Sequence, residues 1–361
     1  MVTEIIKLSE AARSSERFKL DFTLSEADDA KIKSCAEIIK HGGLVVFPTE
    51  TVYGLGGDAT SPDAASKIYE AKGRPSDNPL IIHISTPAGA EKYAYTNELY
   101  YKLAERFMPG PLTVILDAKE SVPKKTRGGL STVAVRCPTD AVARRLIEYS
   151  GVPIAAPSAN LSGSPSPTKA QHVIDDMQGR VDAIIDGGEC EFGLESTIVK
   201  INPDDTLTLL RPGRITPAEL GEITPVIIAD AVVDKLKEGE VAISPGMKYR
   251  HYAPKAPLVL LNGDLDKCLE YIEKAGQNNQ AFICYTDEAM EIKEKMPHLS
   301  LYFIGEREDL LAQAHSLFSL LREADRSNHS CIYAHLPKRE GLGLAIYNRL
   351  IRAAAHTIIN L

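Results

Sequence analysis

A chain of 361 residues has room for two domains, each able to bury a core of its own. Its 49 acidic residues outnumber 41 lysines and arginines, and the net charge of −8 excludes nonspecific coating of nucleic acid or membrane while leaving room for a local basic cleft. The six cysteines are scattered without a C-x-x-C pair, which excludes the usual zinc-ribbon spacing and fits a reducing compartment.

The N-terminus, MVTEIIKLSE, carries acidic residues and no apolar core, so it does not read as a signal peptide. No apolar run approaches the ~20 residues of a membrane span, and a cytoplasmic protein is expected. GGLVVFP (Gly42–Pro48) is a short β-branched run bounded by Gly and Pro and reads as a buried strand. In SPDAASKIYEAKG, Ser61 can cap a helix, Pro62 suits its first turn and Gly73 ends it. PLIIHI, PLTVIL, STVAVR and VPIAAPS are further strands, with helical patterns at Asn97–Phe107 and Thr139–Tyr149 between them. DAIIDGG, STIVKI and TLTLLRPG follow closely spaced and hairpin-like. This first region reads as α/β with a mixed sheet.

Residues from about Pro217 to Gly239 read as a connection, with a helix around Asp230–Lys237. SPGMKYRHYAP (Ser244–Pro254) then interleaves rings and cations between prolines, unlike a flexible tether and suited to a planar, anionic ligand. Beyond it, LVLL, AFICY, LSLYFI and SCIYAHL alternate with helical segments, among them Glu308–Ala324 and Gly343–Ile359. Four strand–helix units of this kind predict a small parallel, Rossmann-like α/β sheet.

Polar clusters rich in Gly and Pro fall at the strand ends of the first region, where open α/β sheets bind ligands. They are PTETVYGLG, KGRPSDNP, AVRCP, PSANLSGSPSPT, GLESTIV and LRPGRI. There is no P-loop, no complete dinucleotide fingerprint, no H-E-x-x-H and no nucleophile elbow. What remains is a set of guanidiniums, hydroxyls and amides from several loops, able to clamp polyphosphate and carboxylate without a covalent intermediate.

PTETVYGLG, KGRPSDNPL, PGPLTVIL, PSANLSGSPSPT, ESTIV and LRPGRI together resemble the YrdC-like domain of L-threonylcarbamoyladenylate synthases, over about 27–215. Lys72, Arg74, Ser158 and Asn160 match that family's K-x-R…S-x-N signature, and SPGMKYRHYAP with the α/β region after it resembles the long form of the enzyme. The resemblance implies a catalytic domain at 27–215, a linker with an active-site lid at 216–255, and a small α/β domain at 256–361. It implies synthesis of threonylcarbamoyl-AMP and pyrophosphate from L-threonine, bicarbonate or CO2, and ATP. Other proteins would then transfer the threonylcarbamoyl group to tRNA, and weak direct tRNA contact stays open.

Carried over residue by residue, the nucleotide contacts fall on Arg74, Asn78, Thr132, Ser158, Ser166, Arg211 and Tyr249, with Lys72 and Asn160 facing the phosphates. The threonine contacts fall on Thr51, His83, Arg136, the backbone at Ala156, and Ser196. Lys72, Arg74, Ser158 and Asn160 form the expected catalytic set. Mg²⁺ is expected through ATP and water rather than a protein cage, and the roles of Glu50 and Glu195 stay open. Two rival readings are weaker. A nucleic-acid-binding module would carry a continuous basic run with stacking aromatics. A carbamoyltransferase of the hydrogenase-maturation type would carry paired-cysteine zinc motifs and an acylphosphatase-like segment.

Overall fold

The computed structural model describes residues 2–234 and 252–361. These divide into two compact units, the first holding residues up to 234 except 163–165, the second holding 163–165 and residues from 252 onward.

The first unit is built on a mixed sheet of eleven strands: β1 (Glu4–Lys7), β2 (Val45–Phe47), β3 (Gly54–Asp58), β4 (Ile81–His83), β5 (Leu112–Asp117), β6 (Thr132–Arg136), β7 (Ile154–Ala155), β8 (Ala183–Asp186), β9 (Thr197–Ile201), β10 (Leu207–Arg211) and β11 (Val226–Ile228). Their order is β1-β8-β2-β3-β7-β4-β6-β5-β9-β10-β11. Strands distant in sequence therefore lie side by side, and the loops at their ends converge. Parallel β4 and β6 pair His83 with Arg136, while antiparallel β5 sets Thr113 against the same Arg136.

Helices form where caps and apolar spacing agree. Ser61 accepts from the Ala64 amide at the start of Pro62–Lys72, and Gly73, at φ +61°, ends that helix in a left-handed turn that costs glycine little. Asn97 and Asp140 cap Glu98–Phe107 and Ala141–Ser150. Helices Glu26–Lys40 and Ala141–Ser150 bury Ile32, Ile39, Val142 and Leu146 in one core with Val45, Phe47, Ile154 and Ile185.

The second unit has a wholly parallel sheet of β12 (Leu258–Asn262), β13 (Gln280–Cys284), β14 (Ser300–Phe303), β15 (Cys331–His335) and β16 (Ile358–Asn360), ordered β14-β13-β15-β12-β16. Helices Leu265–Ala275, Ala289–Lys295, Leu310–Arg326 and Gly343–Ala353 connect its strands. Leu261, Leu269, Ile272, Phe282 and Ile292 form part of its core.

Three details differ from the sequence expectation. The last helix stops at Ala353, because Ala355 and His356 turn the chain at positive φ, and the β-branched tail then makes a fifth strand. DAIIDGG supplies β8 between β1 and β2, so only β9 and β10 form the hairpin. Around residue 230 the helix is a 3-10 turn, Asp230–Val232, and the expected remainder from 235 lies outside the described residues. Among the described residues no helix is long and apolar enough to cross a membrane.

Candidate active site

Four segments are knitted together at the ends of the central strands. The Tyr53 and Leu55 amides donate to the Pro167 and Pro157 carbonyls, and the Ala159 amide donates back to Tyr53. The Glu191 and Phe192 amides both donate to the Glu50 carbonyl, at 3.0 and 2.8 Å. PTETVYGLG, PSANLSGSPSPT and the loop before GLESTIV thus share one hydrogen-bonded platform. LRPGRI closes on it: a Cβ at Gly213 would lie 2.5 Å from the Thr197 nitrogen and 2.7 Å from the Glu195 oxygen, so only glycine fits.

On the side expected to take threonine, His83, Arg136 and Ser196 are buried, and Thr51 is fully enclosed. Thr49 Oγ1 lies 2.8 Å from Thr51 Oγ1 and donates to the Val52 carbonyl. The Ala156 amide is engaged by the Ile81 carbonyl. Arg136 Nη2 donates to Glu50 Oε1 at 2.6 Å. His83 Nδ1 stands 3.3 Å from the Ile154 carbonyl, and the Phe47 ring meets the imidazole edge-on. Burial, and then the charge of Arg136, push the His83 pKa down to about 3, so the ring is neutral at physiological pH. Arg211 donates to the Ser196 carbonyl at 3.0 Å and to Ser196 Oγ at 3.1 Å, and Thr113 Oγ1 lies 2.7 Å from that hydroxyl. Arg211, expected on the nucleotide, therefore also braces the threonine side.

On the side expected to take ATP, the Lys72 ammonium donates to the Ser158 carbonyl at 2.5 Å and the Asn160 carbonyl at 2.6 Å. Its charge thereby pins the PSAN loop. Ser158 Oγ donates to Asn160 Oδ1 at 2.5 Å. Half-buried Arg74 donates to the Asn78 and Pro79 carbonyls, and Asn78 Oδ1 is buried without a hydrogen-bond partner. Ser166, fully buried, donates to Glu195 Oε1 at 2.5 Å. Thr132 opens β6, half-buried. Tyr249 and most of SPGMKYRHYAP lie outside the described residues. Of that stretch Tyr252 is described, packed on Phe318 at 5.1 Å between ring centroids.

The sequence reading missed three contributors. Thr113 lies in PGPLTVIL, but only strand order shows that its hydroxyl meets Ser196. Arg17 and Asp140 form a buried ion pair, and Arg17 Nη2 donates to the Glu189 carbonyl just before the amides that hold Glu50. Asp140 carried the signal of an N-cap before a helical pattern, whereas Arg17, flanked by Glu16 and Lys19, carried none.

Fused to a separate parallel α/β unit, this cluster of Gly- and Pro-rich loops on a mixed sheet defines a two-part enzyme of the YrdC-like class. Residues 37–213 match the family described as telomere recombination, and 215–355 match that described as the threonylcarbamoyl-AMP synthase C-terminal domain. A Pyrococcus abyssi threonylcarbamoyl-AMP synthase is 42% identical over 338 residues, covering 92% of this chain and 96% of its own. The Bacillus subtilis protein of that name is 43% identical over 338 residues, covering 92% and 95%. The crystal structure of P. abyssi Sua5 complexed with L-threonine matches with a TM-score of 0.86 at 39% identity, over 99% of this chain and 100% of that one. The chain belongs to the threonylcarbamoyl-AMP synthase family, and it is an ATP-using synthase of threonylcarbamoyl-AMP.

Proposed function

We infer that the chain joins L-threonine, bicarbonate or CO2, and ATP into threonylcarbamoyl-AMP and pyrophosphate, for modification of tRNA adenosine by other proteins. The observation that carries the residue assignment is the pairing of His83 with Arg136 across β4 and β6, with Ser196 braced by Thr113 and Arg211 close by. A neutral imidazole beside a buried guanidinium suits a carboxylate with neighbouring polar groups. Arg136 takes the threonine carboxylate, Thr51, His83 and Ser196 take its remaining polar groups, and the Ala156 backbone borders the pocket.

The reaction needs little covalent chemistry from the protein. Threonine's amine and CO2 form a carbamate with loss of a proton. A carbamate oxygen attacks the α-phosphorus, the bond to the bridging oxygen breaks, and pyrophosphate departs. Rate enhancement then comes from alignment and from donors placed where charge develops. Arg74, Asn78, Thr132, Ser158, Ser166, Arg211 and Tyr249 hold the nucleotide in this reading, while Lys72 and Asn160 shape the loop that presents Ser158.

Among the described residues no cluster of three or more His, Cys, Asp or Glu could hold a metal. The donor set fits Mg²⁺ carried on ATP and water, where it would neutralise charge on the triphosphate. Six buried, unpaired cysteines support a cytoplasmic location. Mass spectrometry of products from ATP, L-threonine and bicarbonate tests the function. Threonylcarbamoyl-AMP with pyrophosphate is expected, and release of ADP and phosphate would overturn it.

A further inference from the structure

We propose that Glu50 is the residue that receives the α-amine of L-threonine, completing with Arg136 a two-charge seat for an amino-acid zwitterion. The inference rests on the reading that threonine lies against Thr51, His83 and Arg136, and assigns a residue that reading leaves without a task.

Glu50 is fully buried, as is nearly all of Arg136. They share one contact, Nη2 to Oε1 at 2.6 Å. Each also keeps one buried polar atom without a hydrogen-bond partner: Glu50 Oε2 on the acid and Arg136 Nε on the base. Buried polar atoms are nearly always satisfied, and a lone carboxylate oxygen is among the costlier exceptions. Here the two orphans are complementary, an acceptor and a donor on the two members of one ion pair. An α-amino acid offers the matching set, ammonium hydrogens for the acceptor and carboxylate oxygens for the donor.

The backbone makes Glu50 suitable for such a contact. Its carbonyl accepts from both the Glu191 and Phe192 amides, so the residue is fixed in place before any ligand arrives. The side chain cannot swing to solvent, because it is enclosed. Its other charged or titratable neighbours are Asp140, Glu191, Cys137 and Cys190. Burial holds both thiols well above their usual range, so neither competes for the amine as a thiolate. The contact would survive the first chemical step, since the carbamate nitrogen keeps one hydrogen that Oε2 can still accept.

The test compares two ligands on two proteins by calorimetry with the full chain. One ligand is L-threonine; the other is (R)-3-hydroxybutanoate, which keeps the carboxylate and the hydroxyl and lacks the amine. Glu50→Gln should weaken L-threonine by about ten- to a hundredfold, the worth of one charge-assisted contact, and change 3-hydroxybutanoate less than about threefold. Equal losses for both ligands would mean that Glu50 only buttresses Arg136, and would overturn the proposal. The wild-type chain gives a check that needs no variant: equal affinity for the two ligands also overturns it. If the wild type binds no L-threonine at all, the threonine site itself fails, and the Glu50 assignment falls with it.

Discussion

Arg17 and Asp140 meet at 2.9 Å with both side chains wholly enclosed. Asp140 also accepts from the Val142 amide at the start of helix Ala141–Ser150, and Arg17 donates to the carbonyls of Arg13, Ser14 and Glu189. A short N-terminal turn is thereby bolted to the loop behind Glu50. Arg17→Ala leaves a buried carboxylate without its counter-charge and should cost about 3–5 kcal/mol in denaturant unfolding. A loss below about 1 kcal/mol would show that water or another cation satisfies Asp140.

Arg74→Ala and Arg136→Ala should separate the two substrates. Loss of a charge-assisted contact to a bound anion is worth about 2–3 kcal/mol, or roughly 30- to 150-fold. Steady-state kinetics should show the first variant failing chiefly in ATP use and the second in threonine use. Parallel losses for both substrates in both variants would reject the assignment.

Lys72→Met should lower thermal stability as well as ATP use, because the ammonium satisfies loop carbonyls at Ser158 and Asn160. Leaving buried acceptors unpaired costs about 1–3 kcal/mol. A variant with wild-type melting behaviour and weak ATP use would instead place that charge on phosphate alone.

His83 makes stability depend on pH. Its folded pKa, about 3, lies below the unfolded value of 6.5, so the unfolded chain takes up the proton first as pH falls. The stability held near neutrality is therefore lost between about pH 6.5 and 3. From pH 7 to 5 this single group should remove about 2 kcal/mol, at 1.36 kcal/mol per unit. Unfolding free energies of wild type and His83→Gln at both pH values check it: the variant should lose about 2 kcal/mol less than the wild type. Equal slopes would mean that the ring titrates in the fold as it does in the unfolded chain.

Much of this was legible in the sequence, for identifiable reasons. The Ser61 and Gly73 signals marked the ends of their helix because capping chemistry is local. Apolar runs such as LVVF and IIH announced strands because both faces of the central sheet are buried. Strand order was not legible: nothing local says that the segment carrying His83 lies beside the one carrying Arg136. The final strand was missed because its few β-branched residues continue the apolar spacing of the preceding helix. Glu50 was visible as a residue, but its partner is 86 positions away, and its unsatisfied oxygen is a property of three-dimensional enclosure.

The contact at Gly213 reaches further than the loop it belongs to. With no side chain between them, the backbone after β10 rests directly on residues 195–197, and Arg211 grips Ser196 from the same segment. The two stretches behave as one plank, so re-spacing either to admit a different amino acid would drag the other with it. His83 stands on a separate strand and can be exchanged without moving that plank. A search for altered amino-acid preference should therefore begin with side chains on β4 and leave the lengths of these two loops untouched.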